Sequence, residues 1–201
     1  MRTSFTKSLI SSCGLACCAA LLMAMSVSAQ DSTKMRGGMD KMKGGMPPMG
    51  PPAEMKQIDG MLGTWKADFQ MRMDEKAPWI TSPATLVVTS ILGGAANQGE
   101  FTTTMMGMEF KGFSRITYNR NTGKWQNCWI DNMGAYQTLS SGDFKDNKLV
   151  LTAKDEYMGR EFTMRETTTL KSATEVDWTM EMSYDEGKTW FVNMKGTYTK
   201  Q

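Results

Sequence analysis

Histidine is absent from all 201 residues, which removes the commonest general base at neutral pH and the commonest protein ligand for zinc and haem iron. No Ser-His-Asp set, Cys-His pair or His-containing metal cluster can therefore be assembled, and no nucleotide-binding glycine loop is present. Cysteine is scarce as well. Of four cysteines, Cys13, Cys17 and Cys18 fall near the N-terminus and only Cys128 lies further on, so a chain that loses its N-terminus has one thiol and no intrachain disulfide. Net charge is lacking too: two of the 23 basic residues, Arg2 and Lys7, lie in the first 29 residues, and the rest balance 21 acidic residues. Such a chain has no concentrated basic surface for nucleic acid.

The N-terminus itself carries an export signal. Arg2 and Lys7 precede an apolar run from Leu9 to Met25, and Val27-Ser28-Ala29 supplies small residues for cleavage, so the mature chain is expected to start near Gln30 in the periplasm or outside the cell. Ile10-Ser11-Ser12-Cys13 offers an alternative lipoprotein site, but the apolar stretch before Cys13 is only a few residues long, and cleavage after Ala29 is preferred. The polar tail after the signal argues against a retained membrane anchor.

Residues 30–53 consist largely of Met, Gly, Lys and Pro, with Thr33 the only β-branched residue and no aromatic. Such a segment cannot bury enough apolar surface to offset the entropy of ordering, and a flexible tail is expected. Its thioethers Met35, Met39, Met42, Met46 and Met49 form a weak alternative metal site, of a kind suited to Cu(I). The plainer explanation is drift in a chain that is methionine-rich throughout, with 21 in all.

From residue 54 onward the chain reads as one domain, 54–201. Glu54 to Leu62 predicts a short helix with Met55, Ile58, Met61 and Leu62 on one side, stopped by Gly63 and placed to cap one end of the domain. From Trp65 the period is two. Trp65, Ala67, Phe69, Met71 and Met73 alternate with polar residues, and the pattern recurs in Phe110 to Tyr118, Leu149 to Ala153, Phe162 to Leu170, Val176 to Tyr184, and Trp190, Val192, Met194, Gly196 and Tyr198. Turn chemistry at Asn119 to Gly123, Lys145-Asp146-Asn147, Met158-Gly159 and Asp185-Glu186-Gly187 separates these runs. About ten strands result, near 65–74, 80–91, 96–106, 108–118, 124–131, 135–143, 148–157, 160–170, 175–184 and 189–199. A meander of this length closes to remove its edges, so the fold class expected is all-β, an antiparallel up-and-down barrel with a short N-terminal capping helix.

The residues Gly63-Thr64-Trp65, Leu92-Gly93-Gly94, Met106-Gly107-Met108 through Phe110 and Gly112, Tyr118-Asn119 with Thr122-Gly123-Lys124, and Trp129-Ile130-Asp131-Asn132-Met133-Gly134 resemble a bacterial domain-of-unknown-function family, number 1579. The resemblance covers roughly Glu54 to Lys200 and implies a calycin/lipocalin-like barrel, with a binding role by analogy. Many members of the family carry a histidine near position 111, where this chain has Lys111, and the haem role of the nitrobindin-like relatives needs such a ligand. No cofactor is expected.

Within the strand at 124–131, Trp125, Asn127, Trp129 and Asp131 share one face, and Cys128 and Ile130 share the other. Turned inward, the first face gives an aromatic wall with polar groups, and with Tyr118 it forms the candidate ligand site. The competing reading makes the tryptophans core and Asp131 a cap for the Asn132-Met133-Gly134 turn. Arg115, Arg165 and Glu166 also fall in strands. An inward Arg–carboxylate pair would hold an anionic headgroup, whereas strand charges ordinarily face water. For Phe69, Met71, Trp178, Met180, Trp190 and Met194, core filling is the default. The function these features favour is an exported binding barrel for a small hydrophobic or amphipathic molecule, with no nucleic-acid partner and no stable membrane insertion. A copper-handling or stress protein acting through the Met-rich tail ranks second, and an enzyme of unrecognised type third.

Overall fold

The computed structural model describes residues 49–157 and 159–201. The first element is a 3-10 helix at Ala53–Met61, and its winding explains the spacing of its apolar residues. Three residues per turn bring Met55, Ile58 and Met61 into one row, and all three are buried. The expected capping helix is thus present, wound more tightly than an α-helix. The Trp65 indole N–H donates to the Met61 carbonyl at 2.8 Å, tying the helix end to the first strand.

Ten strands come after it: β1 (Gly63–Met71), β2 (Ile80–Ile91), β3 (Ala96–Met105), β4 (Met108–Asn119), β5 (Lys124–Asp131), β6 (Gln137–Lys145), β7 (Lys148–Tyr157), β8 (Arg160–Leu170), β9 (Glu175–Ser183) and β10 (Phe191–Lys200). Each pairs antiparallel with its sequence neighbours, and β10 returns to β1 through pairs such as Ala67↔Tyr198 and Met71↔Met194. The barrel is closed, so no strand edge is left free. Two of the tight hairpins use two residues of positive φ, Met106-Gly107 (51° and 79°) and Asp146-Asn147 (52° and 59°). That backbone matches the twist of the strands it joins.

Alternation fixes the two ends. The 3-10 helix shares one end with the loops after β2, β4, β6 and β8. There Met55, Ile58 and Met61 pack with Trp125, Leu149 and Leu151, against Ile116, Tyr118, Phe144 and Leu170. The opposite end carries the loops after β1, β3, β5, β7 and β9, and among the described residues no helix crosses it.

β10 departs from the sequence expectation. Its register slips between Val192 and Met194, where a bulge forms. Arg72 holds the bulge, its Nε donating to the Val192 carbonyl at 2.7 Å and its backbone N–H to the Asn193 carbonyl at 2.9 Å. The extra residue reverses the phase. Met194, Gly196 and Tyr198 face inward, but Val192 pairs with Glu181 on the outer face. Trp190, also read as core, precedes the strand; its indole N–H donates to the Gly187 carbonyl and the Arg165 guanidinium lies over its ring at 4.2 Å.

Candidate ligand-binding lumen

Cross-strand partners point to the same side of a sheet, so the register settles which face of β5 looks inward. Trp125 pairs with Tyr118 and Gly142, Asn127 with Ile116 and Ser140, Trp129 with Ser114 and Thr138, and Asp131 with Gly112. All lie on the inner face, with Trp65, Phe69, Phe101 and Phe110 reached through the same ladders. Cys128 is outside, opposite Arg115 and Leu139.

The five candidate residues share that face but not one environment. Tyr118 and Trp125 meet edge to face at 5.5 Å beneath the 3-10 helix, and Trp125 is 2% exposed. They belong to the packed end. Asn127 is buried midway along the strand. Trp129 and Asp131 stand towards the uncapped end, where Trp129 is only half-buried.

Trp129 is positioned by two neighbours. Its six-membered ring lies over Gly112, where an added Cβ would come within 2.2 Å of the ring; only the absent side chain lets the indole fold across β4. Its Nε1–H donates to Asp131 Oδ2 at 2.9 Å. The other oxygen, Asp131 Oδ1, accepts from the backbone N–H groups of Met133 at 2.9 Å and Gly134 at 2.7 Å. The carboxylate therefore caps the β5–β6 turn and orients an indole, the turn-bonding role weighed from sequence. Asn132 completes the turn by accepting from Lys111 N–H and donating to the Glu109 carbonyl.

The inner face mixes aromatic, aliphatic and polar groups, with Leu149, Leu151, Ala153 and Met164 buried on β7 and β8. Trp178, Phe69, Phe101, Phe110 and Trp129 make a continuous aromatic arc, with successive centroids 6.2, 5.3, 6.0 and 6.4 Å apart. Across β6 to β8 the inward residues include Thr138, Ser140, Asp155, Glu166 and Thr168. Several buried polar atoms find no partner in the protein: Asn97 Nδ2, Asn127 Oδ1, Ser140 Oγ and, at the bulge, Asn193 Oδ1. The first three residues and Ile116 lie on one row from β3 to β6.

No inward Arg–carboxylate pair exists among the described residues. Arg165 faces outward, bound to Glu181 at 2.7 Å, and Arg115 reaches Gln98 on the outer surface. Burial offsets the guanidinium's hydration poorly, so both keep to the usual preference for water. Glu166 is inward alone, opposite Leu151 and Met180, and burial pushes its carboxyl up to about 7. Strand period puts Glu166 on the face it occupies, that of Met164, but gives it no role apart from an arginine partner. At the uncapped end a cleft of about 440 Å³ is lined by Asp74, Glu75, Arg160, Met182, Tyr184, Asp185, Thr189 and Phe191; the Arg160 guanidinium stacks on Tyr184 at 3.6 Å. Of the tail methionines, Met49 is exposed, and Met35, Met39, Met42 and Met46 lie outside the described residues.

A closed antiparallel meander around a lined interior defines a calycin-like barrel. The chain belongs to the family described as "Protein of unknown function (DUF1579)", which it matches over residues 50–200. Among solved structures it is similar to Rv2717c from M. tuberculosis, with a TM-score of 0.54 at 9% identity over 75% of this chain and 99% of that one. It also matches the S-type phycobiliprotein lyase CPES from Guillardia theta, with a TM-score of 0.48 at 8% identity over 75% and 98%. No curated protein matches the chain by sequence. No helix among the described residues is long and apolar enough to cross a membrane.

Proposed function

We propose that this protein is an exported barrel that binds a small apolar or amphipathic molecule in its lumen, entered from the end opposite the 3-10 helix. The observation that carries the reading is the row of buried, unpartnered polar atoms at Asn97, Asn127 and Ser140 on the inner face, beside an aromatic arc that shares β3 and β5 with it. Unpaired buried polar groups cost free energy that a polar partner would relieve, and the half-buried rings of Trp129 and Trp178 leave surface for an apolar body. Trp129 forms the wall near the mouth. Tyr118 and Trp125 shape the floor beneath it. Export rests on Arg2, Lys7, the apolar run and Val27-Ser28-Ala29.

Titration with N-phenyl-1-naphthylamine, which brightens in apolar surroundings, tests the binding role. Saturable one-to-one uptake, weakened in Trp129→Ala and Asn127→Leu, is expected; absent or unsaturable uptake overturns it. Export is checked by N-terminal sequencing of the protein from its host, expected to begin at Gln30. A chain starting at lipidated Cys13 would replace that reading.

A further inference from the structure

Glu166 sits in the middle of β8 with its side chain on the lumen face. The inward residues beside it are Leu151 on β7, Met180 on β9, and Met164 and Thr168 on its own strand. None carries a charge. Among the described residues no hydrogen bond or ion pair reaches its carboxyl, yet the residue keeps part of its surface open. Its register with Leu151 and Met180 turns the side chain, and so its open part, towards the lumen. A lone carboxyl in such a place is costly unless something in the lumen meets it.

The other charged or titratable groups on the inner face are already engaged or stand elsewhere. On β7, Asp155 accepts from Thr138 Oγ1 at 2.6 Å and from Glu156 N–H at 2.8 Å. On β9 the acids Glu175, Asp177 and Glu181 are outside, opposite Thr199, Thr197 and Val192. Asp131 is held by Trp129 and its own turn. Arg160 lies at the uncapped end of its strand, on Tyr184. At the capped end, Lys200 Nζ lies over Trp65 at 5.2 Å. Tyr198 on β10 is a buried phenol whose burial holds it protonated, and Tyr118 stacks on Trp125. No base faces Glu166 from the strands packed beside it.

We propose that Glu166 is the polar anchor of the lumen and takes the protonated amine of a cationic amphiphile, whose apolar body lies along the arc from Trp178 to Trp129. This rests on the lumen being a binding site. The ammonium N–H groups donate to the carboxylate. No covalent bond changes. Because binding a cation favours the ionised carboxyl, capture of the amine expels a proton when Glu166 is protonated beforehand.

The test uses dansylcadaverine, a primary amine on an apolar fluorophore, and its N-acetyl derivative, which has the same body without the charge. At about pH 8 the amine is expected to bind about tenfold tighter than the acetylated probe. Glu166→Gln should reduce that preference to about one. Calorimetry of the unsubstituted protein near neutral pH, in phosphate and in Tris, should show proton release on binding the amine and none with the acetylated probe. Equal affinity for the two probes, or no proton release with the amine, overturns the anchor and leaves the barrel reading standing. Uptake of neither probe overturns both.

Discussion

Trp125 and Trp129 are four residues apart on the same face of β5, and their surroundings are opposites. Trp125 is sealed under the 3-10 helix among Met55, Ile58, Met61, Leu149 and Leu151. Trp129 stands half-open near the uncapped end, held by a hydrogen bond to Asp131 and laid over a glycine. Strand period decides that both point inward. It does not decide depth, which comes from what covers each end of the barrel. Trp125 is closed over on all sides, whereas Trp129 leans, half-open, on a second buried cluster that includes Phe69, Phe101 and Phe110.

The largest expected effect tests that division directly. Trp125→Ala should cost about 3–5 kcal/mol, the range for a large side chain removed from a packed core. Trp129→Ala should cost less, about 1–3 kcal/mol, because part of its surface is never covered and less burial is lost. Urea midpoints of the two variants measure the difference. Uptake of N-phenyl-1-naphthylamine should fall in Trp129→Ala while folded Trp125→Ala retains it. Equal stability losses with equal uptake would erase the distinction between core and wall.

The lumen itself is sharpened by pH. Glu166 has its carboxyl raised from 4.5 to about 7 by burial, so the folded chain holds a proton that the unfolded chain releases. Its contribution to stability is therefore greatest below about pH 4.5 and declines as pH rises through about 7, by up to ~3 kcal/mol. Glu166→Gln should flatten that decline and be the more stable protein at about pH 8. Denaturation midpoints at about pH 5 and about pH 8 provide the comparison. Asp185, in the β9–β10 turn, acts in a separate window. Donors from Thr189, Ser183 and Lys188 lower it to about 2, so its support is present above its ordinary value of 3.8 and lost as pH falls through about 2.

How far these features were legible depends on whether the signal is local. The strands expected at 80–91, 124–131, 148–157 and 160–170 have the bounds observed for β2, β5, β7 and β8, and the last three are flanked by residues that favour turns. The inward face of β5 was legible for the same reason: two indoles outweigh Cys128 and Ile130 in apolar area. Trp190 and Val192 were misread because a bulge shifts phase without any residue that announces it; Arg72, about 120 residues away in sequence, secures it. Glu166 illustrates a subtler limit. Its face could be read from Met164, but not the absence of a counter-charge from β7 and β9, which depends on the register of strands far apart in sequence.

The close approach between β4 and β5 gives an intermediate effect. A methyl group at Gly112 would collide with the Trp129 ring, whose nearest atom is 2.2 Å from the added Cβ. Gly112→Ala should cost about 1–3 kcal/mol, as overpacking does, and displace the indole from its place on Asp131. The Gly112→Ala/Trp129→Ala double variant should recover part of that loss, since the colliding ring is gone. Purely additive losses in the pair would mean that Gly112 matters for its backbone alone.

Asp131 carries the smallest effect and separates two uses of one carboxylate. Oδ1 accepts from two turn N–H groups and Oδ2 from the Trp129 indole. In Asp131→Asn the amide oxygen can keep the turn bonds, but the NH₂ then faces another N–H donor, and the indole loses its acceptor. The expected cost is about 1–2 kcal/mol, the range for one lost hydrogen bond and a donor left facing a donor. Asp131→Ala removes every acceptor and should cost more. If the carboxylate serves to orient the wall, Asp131→Asn should redden the Trp129 contribution to emission, taken as the difference between spectra with and without Trp129→Phe because five other tryptophans also emit, and weaken neutral-probe uptake modestly. The dansylcadaverine preference over its acetylated form should stay intact, because that preference is assigned to Glu166. Loss of the amine preference in Asp131→Asn, with Glu166 unaltered, would move the anchor to the mouth of the barrel and make Asp131 the ligand's partner.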